Sequence, residues 1–143
     1  MVPTITISTS IPLPVAAVWD ELRHIDRHVE WMNDAVALTF ITDQREGVGT
    51  SFHCKTRIGP FVTNDVMTIT RWESETVMGV EHKGLIKGEG LFFLHGTDHD
   101  TTLVWQEELR FPWYMGGPLT AYFAAPVLKF IWRRNLANFH DRF

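Results

Sequence analysis

The chain has 143 residues, 45% of them hydrophobic, with 13 Lys or Arg against 17 Asp or Glu and a formal net charge of −4. A single domain, 1–143, of this length buries roughly two-thirds of its unfolded surface and needs neither disulfide nor metal to fold. The acidic balance excludes the concentrated basic face of a nucleic-acid binder; the single cysteine, Cys54, fits a reducing, cytoplasmic compartment; and Met1–Ser10 lacks the positive charge and apolar run of a secretory signal.

Thr4–Ser10 alternates Ile5 and Ile7 with polar residues, the period of a half-buried strand. Pro12 and Pro14 end it, and Pro14 suits the first turn of a helix, where a missing N–H costs nothing. Val15, Val18, Trp19 and Leu22 have helical spacing over Val15–Arg23, and Asp26–Met32 reads as a second short helix anchored by Val29 and Trp31. Six strands follow, over Ala35–Thr42, Thr50–Ile58, Phe61–Trp72, Val77–Lys83, Ile86–His95 and Thr102–Phe111. Turn signals separate them, among them Gly47, Gly49 and Gly59-Pro60.

Pro112, Gly116, Gly117 and Pro118 then introduce a long helix running from Leu119 to Phe143. Its apolar residues fall on more than one face, and a helix apolar nearly all round is expected to be buried nearly all round. Pro126 is expected to bend it. Phe111–Trp132 has the length of a membrane span, but the early Pro and Gly residues leave only Leu119–Trp132, a stretch more typical of a buried core helix. No transmembrane segment is expected.

This order predicts an α+β architecture: a curved antiparallel sheet of about seven strands wrapped around a long C-terminal helix, with two short helices between the first two strands. The chain also resembles a known family. Ile11-Pro12 followed by Val15–Asp20 (VAAVWD), His28 and Trp31, Gly47–Phe52 (GVGTSF), Gly88-Glu89-Gly90 and Trp132–Leu136 (WRRNL) are similar to the SRPBCC superfamily, the START-like, birch-pollen-allergen-like helix-grip proteins. Within it they look most like bacterial polyketide cyclase/dehydrase-type members. The resemblance covers essentially the whole chain. It implies the helix-grip fold and a ligand cavity, within a superfamily of lipid carriers, hormone receptors, aromatase/cyclases, quinone-binding proteins and co-chaperone domains. It assigns no catalytic residue.

Glu107 shares strand parity with Leu103, Trp105, Leu109 and Phe111 and is expected to face the helix. A buried carboxylate there can orient a hydroxylated ligand or act as a general base; alternatively it is a structural residue paired with Arg57 or Arg71. His82 has the parity of Met78 and Val80, and Asp65 that of Met67 and Ile69, so both could join Glu107 and Tyr122 in a polar set. These four are the weak catalytic candidates. The apolar lining is expected from Trp31, Phe52, Cys54, Met67, Ile69, Phe93, Trp105, Phe123 and Val127. Either face of Gly88–His95 is apolar, so the residues leave open which side meets a ligand. Cys54 reads as a small buried hydrophobe, not a nucleophile.

No metal or other cofactor is expected. His24/His28 and His95/His99 are four apart but lack a third clustered ligand, and GEG at 88–90 lies in a strand, not before a helix. Trp113, Tyr114 and Met115 form an apolar tip. It serves as packing, as a gate hinged at Gly116-Gly117, or as a contact patch for a membrane or a partner.

Three functions compete. One is intracellular binding of a hydrophobic small molecule, such as a lipid, a quinone or an aromatic polyketide. Another is a polyketide cyclase/dehydrase-type enzyme using Glu107 and nearby polar groups as acid and base. The third is an interaction domain with a filled core; a homodimer through exposed aromatics also stays open. A void of about 300 Å³ or more favours the first two, and native-density packing the third.

Overall fold

The computed structural model describes residues 4–143. Met1–Pro3, part of the segment read above as lacking a secretory signal, lie outside the described residues. Seven strands form one antiparallel sheet: β1 (Thr4–Ile11), β2 (Ala35–Phe40), β3 (Ser51–Ile58), β4 (Phe61–Glu73), β5 (Val77–Lys83), β6 (Gly88–Gly96) and β7 (Thr101–Glu108). Their order is β1-β7-β6-β5-β4-β3-β2, a meander from β2 to β7 onto which the first strand closes beside the last. Two short helices, α1 (Val15–Leu22) and α2 (His28–Trp31), separate β1 from β2, with a single 3₁₀ turn at Ile25–Arg27 between them. The expected Asp26–Met32 helix is thus split. The long helix is α3 (Gly117–His140).

The strand alternation read from the sequence becomes an inside and an outside. Ile5, Ile7 and Ile11 of β1 are buried, while Thr4, Thr6 and Ser8 are exposed. Phe52 and Cys54 of β3, Val80 of β5, Phe92 and Leu94 of β6, and Leu103 and Trp105 of β7 are buried on the sheet's apolar side. A bulge between Ile69 and Arg71 in β4 shifts the parity there. Ile69 stays in the core, while Arg71 turns out to bond Glu73.

α3 closes the sheet by packing along β1. Its inward stripe is Ala121, Leu128, Trp132, Leu136 and Phe139, at helical spacings of three, four and seven. Leu136 and Phe139 are fully buried and contribute about 1.5–3 kcal/mol each. The opposite side is not covered. Leu119, Tyr122, Phe123, Val127 and Phe130 are exposed, so the expectation of a helix buried nearly all round is corrected. One sheet can cover only one stripe of a helix, and nothing else in the described chain packs over the other side. α3 also continues through Pro126 as one helix.

Its C-terminal half is fastened to the turn between α2 and β2 by polar contacts. Asn135, fully buried, accepts from the Asn33 N–H at 2.9 Å and donates to Asp34 Oδ1 at 2.6 Å. Trp132 Nε1 donates to Asp34 Oδ2 at 3.1 Å. Around these bonds an aromatic cluster ties helix to sheet: Trp132 stacks on Trp105 with centroids 5.4 Å apart, and Phe139 packs on Trp31 at 4.9 Å.

Candidate functional site

Between the sheet and α3 lies a cavity of about 140 Å³. β3 contributes Phe52, Cys54, Thr56 and Ile58; β4 Thr63, Asp65 and Met67; β5 Val80 and His82; β6 Gly90 and Phe92; and β7 Trp105 and Glu107. Leu128 and Trp132 of α3 close the opposite wall, with His28, Met32 and Asp34 at the end near α2. The half-buried Ile58, Thr63 and Ile86 and the exposed Lys87 lie at its rim.

The wall is mostly apolar, with one concentrated polar region. Both oxygens of the buried Glu107 carboxylate are engaged: Trp105 Nε1 donates to Oε2 at 3.0 Å, and His82 Nε2 stands 2.5 Å from Oε1. The structural alternative pairing Glu107 with Arg57 or Arg71 is therefore corrected. Trp105 comes from Glu107's own strand, β7, and His82 from β5 on the far side of β6, where Gly90, opposite Glu107, has no side chain in the way. Burial works against the His82 imidazolium, but the carboxylates around it, Glu107 foremost with Asp65 and Asp34, together outweigh it, so the His82 pKa is raised.

Asp65 is a second buried carboxylate on the wall. Its Oδ2 accepts from Thr63 Oγ1 at 3.4 Å, while Oδ1 has no hydrogen-bond partner. Burial raises its pKa, opposed by the His82 charge and the Thr63 bond. Two glycines make room for these carboxylates: a Cβ on Gly84 would collide with Asp65 Oδ1, and one on Gly90 with Glu107 Oε2. Cys54 is buried, and desolvation pushes its thiol up to about 11, which leaves it protonated and a poor nucleophile.

The structure brings Phe52, Cys54, Asp65, Met67, His82, Trp105 and Glu107 together on the cavity wall. It places six other expected residues elsewhere. Trp31 and Ile69 are fully buried in the core, not on the wall. Phe93 faces away, because the Phe92–Trp105 register of β6 and β7 turns Phe92 inward. Phe123 and Val127 lie on the exposed side of α3, one residue or more around the helix from Leu128, which does face the cavity. Tyr122 is exposed on the same side and takes no part in the polar set.

Sequence reasoning missed His28 and Asp34. His28 Nε2 bonds the Leu22 carbonyl at 2.7 Å, and burial lowers its pKa to about 4. Its signal was available as an i, i+3 partner of Trp31; Asp34, in a turn, had none. Among the described residues no group of three or more His, Cys, Asp or Glu side chains is placed to hold a metal ion.

A seven-stranded curved antiparallel sheet gripping a C-terminal helix over an internal cavity is the helix-grip fold. The solved structures that share it include a START superfamily protein from Mycobacterium smegmatis, with a TM-score of 0.77 and 9% identity over 97% of this chain and 95% of that one. The Zhui aromatase/cyclase from Streptomyces sp. R1128 superposes with a TM-score of 0.74 at 12% identity, covering 99% of this chain and 90% of that one. A protein of Thermus thermophilus gives a TM-score of 0.76 at 14% identity, over 98% and 96% of the two chains. No protein-family model and no curated protein sequence matches the chain. At these identities the likeness establishes the fold.

Proposed function

We propose that the protein binds, inside the cell, a small hydrophobic molecule carrying one hydrogen-bonding head. The observation that carries this reading is the apolar cavity of about 140 Å³ with the His82–Glu107 pair on its wall. Native packing leaves few voids larger than a water molecule, so a space of this size argues against a filled-core interaction domain. It is also smaller than the roughly 300 Å³ at which drug-sized ligand sites begin, and it resembles a cavity of about 150 Å³ that holds a single benzene ring. Of the ligand classes set out above, a one-ring quinone or phenol fits; a multi-ring polyketide or a whole lipid exceeds the space. Phe52, Phe92 and Trp105 supply the apolar contacts, and Glu107 keeps free lone pairs to accept from a hydroxyl.

Thermal unfolding with 4-ethylphenol and with ethylbenzene tests this. Binding stabilises by RT ln(1 + [L]/Kd), about 2.7 kcal/mol at a hundredfold excess over Kd. 4-Ethylphenol is expected to raise Tm more than ethylbenzene, and Glu107→Gln to shrink the difference. No shift with either compound contradicts the reading.

A second reading is an enzyme of the cyclase/dehydrase type whose substrate is a small carbonyl compound of about one ring, the size the space admits. What favours it is two titratable groups in contact on the wall, with a third, Asp65, beside them. His82, its pKa raised, would donate a proton to a bound carbonyl, and Glu107 would stabilise the imidazolium before transfer. Turnover abolished by Glu107→Gln while binding persists would select this reading; unchanged turnover would remove it.

A further inference from the structure

The cavity leaves one large feature unexplained. The outward side of α3 and the 3₁₀ turn before it expose Trp113, Tyr114, Leu119, Tyr122, Phe123 and Phe130, with Trp113 87% and Tyr122 71% accessible. On α3 these residues follow helical spacing along one face, so they form a continuous strip and not scattered exceptions. The same face ends in charge. Arg133 and Arg134 are exposed one turn beyond Phe130, and the Arg134 guanidinium lies 6.0 Å from the Phe130 ring centroid. Between Phe111 and His140 there is no Asp or Glu at all, although the whole chain is net negative.

We propose that this face docks in plane on an anionic lipid surface. An interfacial helix combines aromatic and aliphatic side chains on its buried face with cations at its polar margin, and it lies along the membrane instead of crossing it. Among the described residues no helix is long and apolar enough to cross a membrane, and the opposite stripe of α3 is already committed to the sheet. Charge selects lipid over a second copy. A two-fold pair would bring this face against itself, and from Phe111 to His140 the face offers Lys129, Arg133 and Arg134 but no carboxylate to pair them; the next carboxylate in the chain, Asp141, lies at the C-cap against His140. Acidic headgroups supply the missing charge. Trp113 and Tyr114 suit the headgroup boundary, where amphipathic rings settle. The proposal is independent of what the cavity holds.

Co-sedimentation with phosphatidylglycerol/phosphatidylcholine vesicles and with pure phosphatidylcholine vesicles tests it. The protein is expected to pellet with the anionic vesicles, and added salt to release it. Arg133→Glu with Arg134→Glu is expected to weaken binding by about tenfold or more, as is Phe123→Ser with Phe130→Ser. All four positions are exposed, and circular dichroism of each variant checks that the fold is kept. Failure to pellet with anionic vesicles overturns the proposal. So does equal binding to both vesicle types, or a stable dimer in light scattering that Phe123→Ser/Phe130→Ser dissolves, which would assign the face to a second copy.

Discussion

His28 and His82, both on the cavity wall, have opposite relations to acid. His28 is buried with its pKa lowered from 6.5 to about 4. As pH falls below 6.5 the unfolded chain takes up a proton that the folded chain refuses, so stability declines, by about 3 kcal/mol once pH passes the folded value. His82 has a raised pKa, so its contribution is fully present below 6.5 and disappears as pH rises through the folded value. Urea unfolding across pH separates the two. His28→Gln, which can keep a donor toward the Leu22 carbonyl, is expected to flatten the acid limb. His82→Gln is expected to flatten the limb above 6.5. An unchanged acid limb in His28→Gln contradicts the assignment. Strand parity alone aims Glu107, Trp105 and His82 inward, whereas which of them bond one another depends on the register between strands and on side-chain reach.

At the scale of elements, the anchor of α3 is polar. Asn135→Ala strips the Asn33 N–H of its acceptor and Asp34 of a donor in a fully buried place. A loss of about 3 kcal/mol in chemical denaturation is expected. Asn138→Ala, whose bonds to Trp31 and Asn33 are 3.3 Å long, is expected to cost under about 1 kcal/mol. Equal costs would mean that aromatic packing alone holds the helix. The strands were readable because β1, β3 and β7 alternate. The inward face of α3 was not. Tyr122, Phe123 and Val127 are as apolar as Leu128 and Trp132, so hydropathy alone does not identify the face that meets the sheet. Phe92 and Phe93 pose the same problem in β6, and only the register with β7 resolves it.

For the whole molecule, element order predicted the meander, the two helices between β1 and β2 and the closing helix, because each follows from turn chemistry and hydrophobic period. Cavity volume does not follow from either. It is set by how closely Leu128 and Trp132 approach Phe52, Phe92 and Trp105, distances that depend on packing all along the grip. α3 thus has two apolar faces with different tasks: one closes the cavity, and the other is the strip proposed to meet lipid. The central claim is that the inner face leaves a space that a small molecule fills. Native mass spectrometry of freshly purified protein tests it directly, beside Cys54→Phe, which grows a ring into the cavity from β3. The account predicts a non-covalently bound small molecule on the wild type that Cys54→Phe lacks; the bare polypeptide mass for the wild type would contradict it.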